Sequence, residues 1–482
     1  MANKSATRIE QDSMGEMTVP AEAMFGATTQ RAVQNFPVSG RPVPVEVIRS
    51  FALLKRCCAE VNRELGKLDA DGAGLIVDAC DSILDGLAKD PDGCMRHFPI
   101  DVFQTGSGTS TNMNVNEVIS NLVAKASGKP IGSRDPIHPN DHVNMGQSSN
   151  DTFPTAMQIA GATAIDQLLV PALRDLQEAL AVKARDWDSI VKIGRTHLMD
   201  ATPIRLGQEF SGFAAQAEYC VLRAQRAMVR LAENLPIGGT AVGTGINTHP
   251  SFGTMVAECL SGATGVEFAE AKNHFEAQAT RDCVVDASGH LKAIAVALSK
   301  IANDIRWLGS GPRCGLFELS LPATQPGSSI MPGKVNPVIC ESVMMVACQV
   351  VGNDAAITLG GFGGIGSLLQ LNVAMPMMAD NLLESINLLA NASTMFVDKC
   401  IAGLEVNHDI ATGMVEKSLM MCTSLAPEIG YDQAAKVAKE AFKSGQTVRE
   451  HVLQHKLIPE ARLRELLDPR SMTEPGGSGA GG

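Results

Sequence analysis

The chain is poor in aromatic residues: they make up only 4% of it, with two Trp and two Tyr among 482 residues. Base-stacking platforms are therefore scarce, and the formal net charge of −12 supplies no basic face for phosphates. Together these exclude a general affinity for nucleic acid. No run approaches the ~18–20 apolar residues of a membrane-spanning helix, so no membrane partner is expected. The opening stretch MANKSATRIEQDSMGEMTV has no apolar core of a signal peptide. The twelve cysteines include no C-x-x-C pair, which suits reduced, mostly buried thiols rather than a disulfide framework or a metal cluster. A cytoplasmic protein, or a mature organelle enzyme, fits these absences. Alternating strand patterns are also few, which leaves a mainly α architecture.

Helical periodicity is what the chain has in quantity. Val284, Ala287, Leu291, Ile294, Leu298, Ile301, Ile305 and Leu308 follow one another at spacings of three and four. They predict one seam of a continuous helix about seven turns long, stopped by Gly309-Ser310-Gly311-Pro312. Ile165, Leu169, Leu173, Leu176 and Leu180 mark a second seam, and Val343, Ala347, Val350 and Val351 a third. Such seams pack as long helices at small crossing angles, as in bundles. The expected organisation is an N-terminal, mainly helical domain over 1–147, a central long-helix bundle over 148–405 and a small C-terminal helical domain over 406–482. The closing TEPGGSGAGG is low in complexity and is expected to be disordered.

Four polar clusters punctuate this pattern. In GSSIMPGKVNP, Gly327–Pro337, hydroxyls run into Lys334 and Asn336 just ahead of a helical stretch. It is not a phosphate-binding P-loop: five residues separate the glycines, Pro332 is one of them, and Val335 follows the lysine. Asn336 and Pro337 suit the N-cap and first helical position. In TGSGTSTNMNVNE, Thr105–Glu117, the spacing of Asn114 and Glu117 resembles a capping box and predicts a helix start there. GQSSNDTFP brings Ser148, Ser149 and Asn150, and GRTHLMD brings Thr196 and His197. Each cluster alone is ordinary capping chemistry. Several helix N-termini lined with hydroxyls and amides, together with Lys334, predict binding of a dianion. Two other signals are discounted. GFGGIG, Gly361–Gly366, has no preceding strand or βαβ context, and His138 and His142 lack the glutamate of a zinc-binding H-E-x-x-H and are interrupted by Pro139.

With these clusters in order, the chain resembles the fumarase/aspartase superfamily, and closely the class II fumarases. The signature regions stand here as TGSGTSTNMNVNE, GRTHLMDATP and GSSIMPGKVNP, and agreement runs on through HPNDHVNMGQSSNDTFPTA, GGTAVGTGINTHP and KIANDIRWLGSGPRCG. The likeness extends from about Ala23 to about Pro469. It implies a three-domain, mainly α fold with five bundle helices per chain, a homotetramer with each site built from three subunits, and a small dicarboxylate substrate. It also implies reversible hydration of fumarate to L-malate without metal or organic cofactor. Position by position, Ser328 matches the family's catalytic base, and His197, paired with Glu341, matches the residue that activates water. Thr109, Ser148, Ser149, Asn150, Thr196, Lys334 and Asn336 match substrate-binding positions, with Ser107 beside them. His138, Asn140 and Asp141 match a second anion site. Gly333 favours fumarase over the aspartate ammonia-lyases, which tend to carry Ala there. A non-enzymatic protein keeping only the fold is a third reading, opposed by the intact Ser328, His197 and Glu341. One segment departs from the family: GGFGGIGSLLQLN is three residues longer than usual and carries Gln370 where a Glu is expected.

Overall fold

The structure, a computed structural model, describes residues 6–475; the last seven residues of the Gly-rich tail lie outside these. Helices dominate, and the described strands form four two-stranded ladders. The five longest described helices are α1 (Ser149–Asp186), α2 (Leu206–Ala232), α3 (Asp282–Leu308), α4 (Val338–Gly361) and α5 (Met375–Phe396). The α3 seam is buried along its whole length, from Val284 to Leu308. The second seam is also buried, although α1 passes through a π-helical turn at Ile165–Leu169. The third holds at Val343, Ala347 and Val350, but Val351 is exposed. By length and hydropathy α1 and α4 could each cross a membrane. α1 is mostly buried within the chain, as a core helix is, whereas α4 leaves Met345, Val351 and Leu359 exposed.

The chain clusters into two compact units, and the division falls inside each of the five long helices. One unit comprises Met1–Pro171, Leu222–Ala295 and Ala347–Ala390. Here the helix Val45–Glu64 packs against Ala70–Lys89, Phe252–Thr264 and the start of α1, with Phe51 meeting Phe153 at 5.8 Å between ring centroids. The other unit comprises Ala172–Val221, Val296–Val346 and Asn391–Gly482. It contains the hairpin β1 (Val191–Thr196) and β2 (Met199–Arg205), and a C-terminal core of Leu425, Val437, Val452 and Leu463, all essentially inaccessible.

Two expected helix starts fall elsewhere. The helix holding Asn114 begins earlier, at Thr109, so Asn114 and Glu117 lie inside it and form no capping box. Asn114 is buried and its amide donates to the His97 carbonyl. Glu117 caps a different helix: its carboxylate accepts from the backbone N–H groups of Gly26, Thr28 and Thr29 at the start of Ala27–Asn35. The Asn-x-x-Glu spacing is therefore not a local cap, since the N–H groups that Glu117 receives lie 88 to 91 residues away in sequence. α4 begins at Val338, and Asn336 turns its side chain back into the loop instead of onto the helix.

Candidate active site

The first unit brings two of the polar clusters together. Gly108, with φ of +73°, ends the TGSG turn and lets the helix Thr109–Ala126 begin; a Cβ there would stand 2.0 Å from Phe153. Gly106 must also lack a side chain, because a Cβ would stand 1.6 Å from the Val373 carbonyl oxygen. These close approaches set Ser107 and Thr109 at the start of one helix beside Ser149 at the start of α1. Ser107 Oγ lies 2.8 Å from Thr109 Oγ1, which lies 2.8 Å from Ser149 Oγ. Three hydroxyls thus form a chain across two helix N-termini, where backbone N–H groups and helix dipoles favour a carboxylate.

Ser148 is the N-cap of α1 and closes a capping box with Asp151, a residue the sequence reading passed over. The Asp151 carboxylate accepts from Ser148 N at 2.9 Å and from Thr240 N at 2.8 Å, so it ties the helix start to the GGTAVGTG segment. Asn150 reinforces the tie by donating to the Ala241 carbonyl at 2.8 Å. Burial pushes Asp151 up to about 7, against the pull of those N–H groups and of Lys55. The S-x-x-D spacing from Ser148 was the available signal for this residue.

The second unit carries the other predicted residues. Thr196 and Met199 are paired across the hairpin, so His197 and Leu198 form its two-residue turn, with φ of +57° and +61°. Both angles are those of a type I′ turn, normally the preserve of Asn and Gly. Holding His and Leu there costs of order 1–2 kcal/mol per residue and aims His197 into solvent. Glu318, fully buried, anchors the hairpin by accepting from Arg195 at 2.7 Å and pairing with Lys192 at 2.9 Å. Removing Glu318 would leave Arg195 without a carboxylate partner, while Lys192 would keep Glu209 at 2.8 Å.

The loop Gly327–Pro337 is cross-braced. Gly327 N donates to the Lys334 carbonyl at 2.8 Å, and a Cβ on Gly327 would stand 2.4 Å from that oxygen. Asn336 donates to the Gly327 carbonyl at 2.6 Å and accepts from Lys334 Nζ at 2.6 Å. Ser328 Oγ accepts from the N–H groups of Ile330 and Met331 at 3.3 and 3.1 Å, a local nest that favours negative charge on the oxygen. Lys334 and Asn336 also line a cavity of about 580 Å³ with Arg306, Trp307 and Phe317. Glu341 is exposed in the first turn of α4. Among the described residues no hydrogen bond or ion pair joins it to His197 within the chain.

His138 caps the short turn Pro139–Val143, accepting from the N–H groups of Asn140 and Asp141, each at 3.2 Å. Its Nδ1 is therefore an acceptor here, and the nearby Asp141 carboxylate at 3.3 Å is not a true ion-pair partner of that atom. His138 and Asn140 line a cavity of about 520 Å³ with Arg31 and Arg134. The backbone N–H of His138 donates to His142 Nδ1, so this pair is engaged in turn geometry. Among the described residues no disulfide joins any of the cysteines. Cys57, Glu60 and Cys259 bring ligand atoms within 4.8 Å of one another, but Arg56 stands 3.5 Å from the same Glu60. Gln370 sits exposed in the turn of a hairpin, Ser367–Leu368 with Leu371–Asn372. Asn372 closes that hairpin onto the Gly360 carbonyl. The GFGGIG stretch leads from the end of α4 into it and forms no nucleotide-binding turn.

A family model described as Lyase matches residues 15–352, which gives this helical fold its class. A second, Fumarase C C-terminus, matches residues 421–474. The fumarate hydratase class II of Mycobacterium tuberculosis (strain ATCC 25618 / H37Rv) is 53% identical over 470 residues, which is 97% of this chain and 96% of that protein. The mitochondrial fumarate hydratase of Danio rerio is 49% identical over 477 residues, 98% of this chain and 92% of that one. The crystal structure of class II fumarase from Schistosoma mansoni superposes with a TM-score of 0.93 at 38% identity, covering 98% of this chain and 100% of that one. A Brucella melitensis fumarate lyase:delta crystallin, bound to cobalt, gives 0.91 at 43% identity over 98% of this chain and 100% of that one. The chain belongs to this lyase family and, within it, to the class II fumarate hydratases.

Proposed function

We propose that this protein catalyses the reversible hydration of fumarate to L-malate, at a site formed by the hydroxyl cluster, the His197 turn and the Ser328 loop. The observation that carries the reading is the Ser107–Thr109–Ser149 chain across two helix starts, a cradle for one carboxylate of a C4 dicarboxylate. The names of the relatives support it. Ser148, Asn150, Thr196, Lys334 and Asn336 supply further donors. With L-malate as the substrate Ser328, as its oxyanion, removes the C3 proton. The electron pair moves into the adjacent carboxylate, which becomes a dianionic aci-carboxylate. Donors fixed in advance, with Lys334, stabilise that second charge most at the transition state. The C2–O bond then breaks as His197, oriented by Glu341, gives a proton to the departing hydroxyl, and fumarate and water leave.

His197 and Glu341 are brought together by assembly in this account. The exposed apolar face of α4, with Met345, Val351 and Leu359, is covered by other copies in a homotetramer, and each site draws on three subunits. The three-domain reading, 1–147, 148–405 and 406–482, is supported at its last boundary by the hydrophobic cluster that residues from Val415 to Leu467 build. The cavity lined by His138 and Asn140, with Asp141 next in the chain, is assigned as a second anion site. We place the protein in the cytoplasm, though the relatives include mitochondrial enzymes. The test is to incubate purified protein with L-malate or with L-aspartate and follow fumarate absorbance. Fumarate from malate alone is expected. Fumarate from aspartate alone would make it an ammonia-lyase, and none from either would make it a structural protein.

A further inference from the structure

A buried lysine behind the hydroxyl cluster has no part in the chemistry above. Lys55, in the helix Val45–Glu64, is fully inaccessible. Its Nζ donates to Asn144 Oδ1 at 3.0 Å and to Gln147 Oε1 at 2.9 Å, both neutral amides. Burial pushes its pKa down to about 8. A buried ammonium without a bonded carboxylate costs several kcal/mol, and an apolar residue of similar volume is commonly as stable or better. Folding alone gives little reason for a lysine here.

Its two acceptors organise both helix starts. Asn144 Oδ1 also accepts from Asn112 and Asn116, at 3.1 and 3.2 Å, on the helix that begins at Thr109. The Asn144 amide donates to the Gln147 carbonyl at 3.1 Å, and Gln147 donates in turn to the carbonyls of Val143 and Met145. This fixes the turn that delivers Ser148. Asn112 Oδ1 accepts from Thr152, whose hydroxyl also lies 2.8 Å from the Ser148 carbonyl. One cation therefore joins the Thr109 helix to the Ser148–Ser149 turn, and the hydroxyls at their tips meet at 2.8 Å.

From this geometry we infer that Lys55 is a positioning residue for dicarboxylate binding, holding the Thr109 and Ser149 helix starts in register through Asn144 and Gln147. The inference rests on the substrate site proposed above. It acts on binding donors and not on the proton-transferring groups, so its loss raises KM more than it lowers kcat.

The experiment compares Lys55→Met, Asn144→Leu and the double variant as full chains, with circular dichroism and sedimentation confirming fold and assembly. For Lys55→Met the expected result is a KM for L-malate raised about tenfold or more with kcat within about threefold. Because both residues act through one network, the double variant should be no worse than the poorer single one within about twofold. A folded Lys55→Met variant with KM within about twofold of the wild type overturns the inference, as do single effects that multiply. Should Lys55→Met not fold, Asn144→Leu keeps the ammonium and cuts its link to Asn112 and Asn116. A raised KM then supports the network and an unchanged one overturns it. Wild-type turnover in the same assay tests the functional reading separately; if there were none, the same ratios would be read as Kd for fumarate by calorimetry.

Discussion

Thr109 Oγ1 and Ser149 Oγ, forty residues apart in the chain, lie 2.8 Å from each other at the tips of two helices. Thr109→Val keeps the shape of the side chain but breaks the hydroxyl chain at its middle member. The loss should be about 1–3 kcal/mol of binding, or roughly a 5- to 150-fold fall in kcat/KM. Steady-state kinetics on L-malate check it, with the melting temperature expected to stay close to wild type.

Asp151 gives a pH dependence of stability. Its ordinary pKa is 3.8, and burial raises it to about 7 in the folded chain. The folded state therefore holds this proton more tightly than the unfolded state does. Its contribution is most favourable below pH 4 and is lost as pH rises towards 7, by an amount on the order of a few kcal/mol. Asp151→Asn removes this term and one of the two acceptor oxygens, so it should lower stability while flattening the slope between pH 5 and 7. Thermal melts of both proteins across that range measure the difference in slope; equal slopes would sink the assignment.

Glu117 tests the cap that replaced the expected one. Its carboxylate accepts from Gly26 N, Thr28 N, Thr29 N and Thr29 Oγ1, the last at 2.6 Å. In Glu117→Gln an amide N–H₂ faces some of those donors, at a cost of about 2–4 kcal/mol. Denaturant unfolding should show the drop, with kcat little affected in the folded fraction.

That cap illustrates what was legible beforehand and what was not. The seams at Val284–Leu308 and Ile165–Leu180 were readable because burial repeats with the helical period, and the structure buries every one of those residues. Ser148 was readable as a cap because its receiving N–H groups are local. Glu117 was readable as a capping residue but not as the cap of Ala27–Asn35, because that pairing is made by tertiary packing. The strained turn at His197 escaped prediction: nothing in His-Leu signals positive φ, and the hairpin is held in place by Glu318, 123 residues from Arg195. Lys55 escaped because a lysine inside an amphipathic helix looks like a surface residue.

The α4 face carries the assembly claim. Met345 is 66% exposed and Leu359 50% exposed in the single chain. Met345→Asp would bury an unpaired carboxylate if copies cover this face, at a cost of several kcal/mol. Sedimentation should then show smaller species than wild type, and activity should fall with them. An unchanged sedimentation profile would place this residue outside any interface.

The central claim is that the hydroxyl cluster and the Ser328 loop work as one site supplied by different copies of the chain. Subunit complementation tests it most directly. Thr109→Val and Ser328→Ala proteins, each impaired alone, are mixed in denaturant and refolded together, with wild type carried through the same cycle. The mixture is expected to hydrate fumarate well above the sum of the two separately refolded variants, because some sites combine an intact Thr109 with an intact Ser328. A mixture no more active than that sum, beside a wild-type control that recovers, would contradict it.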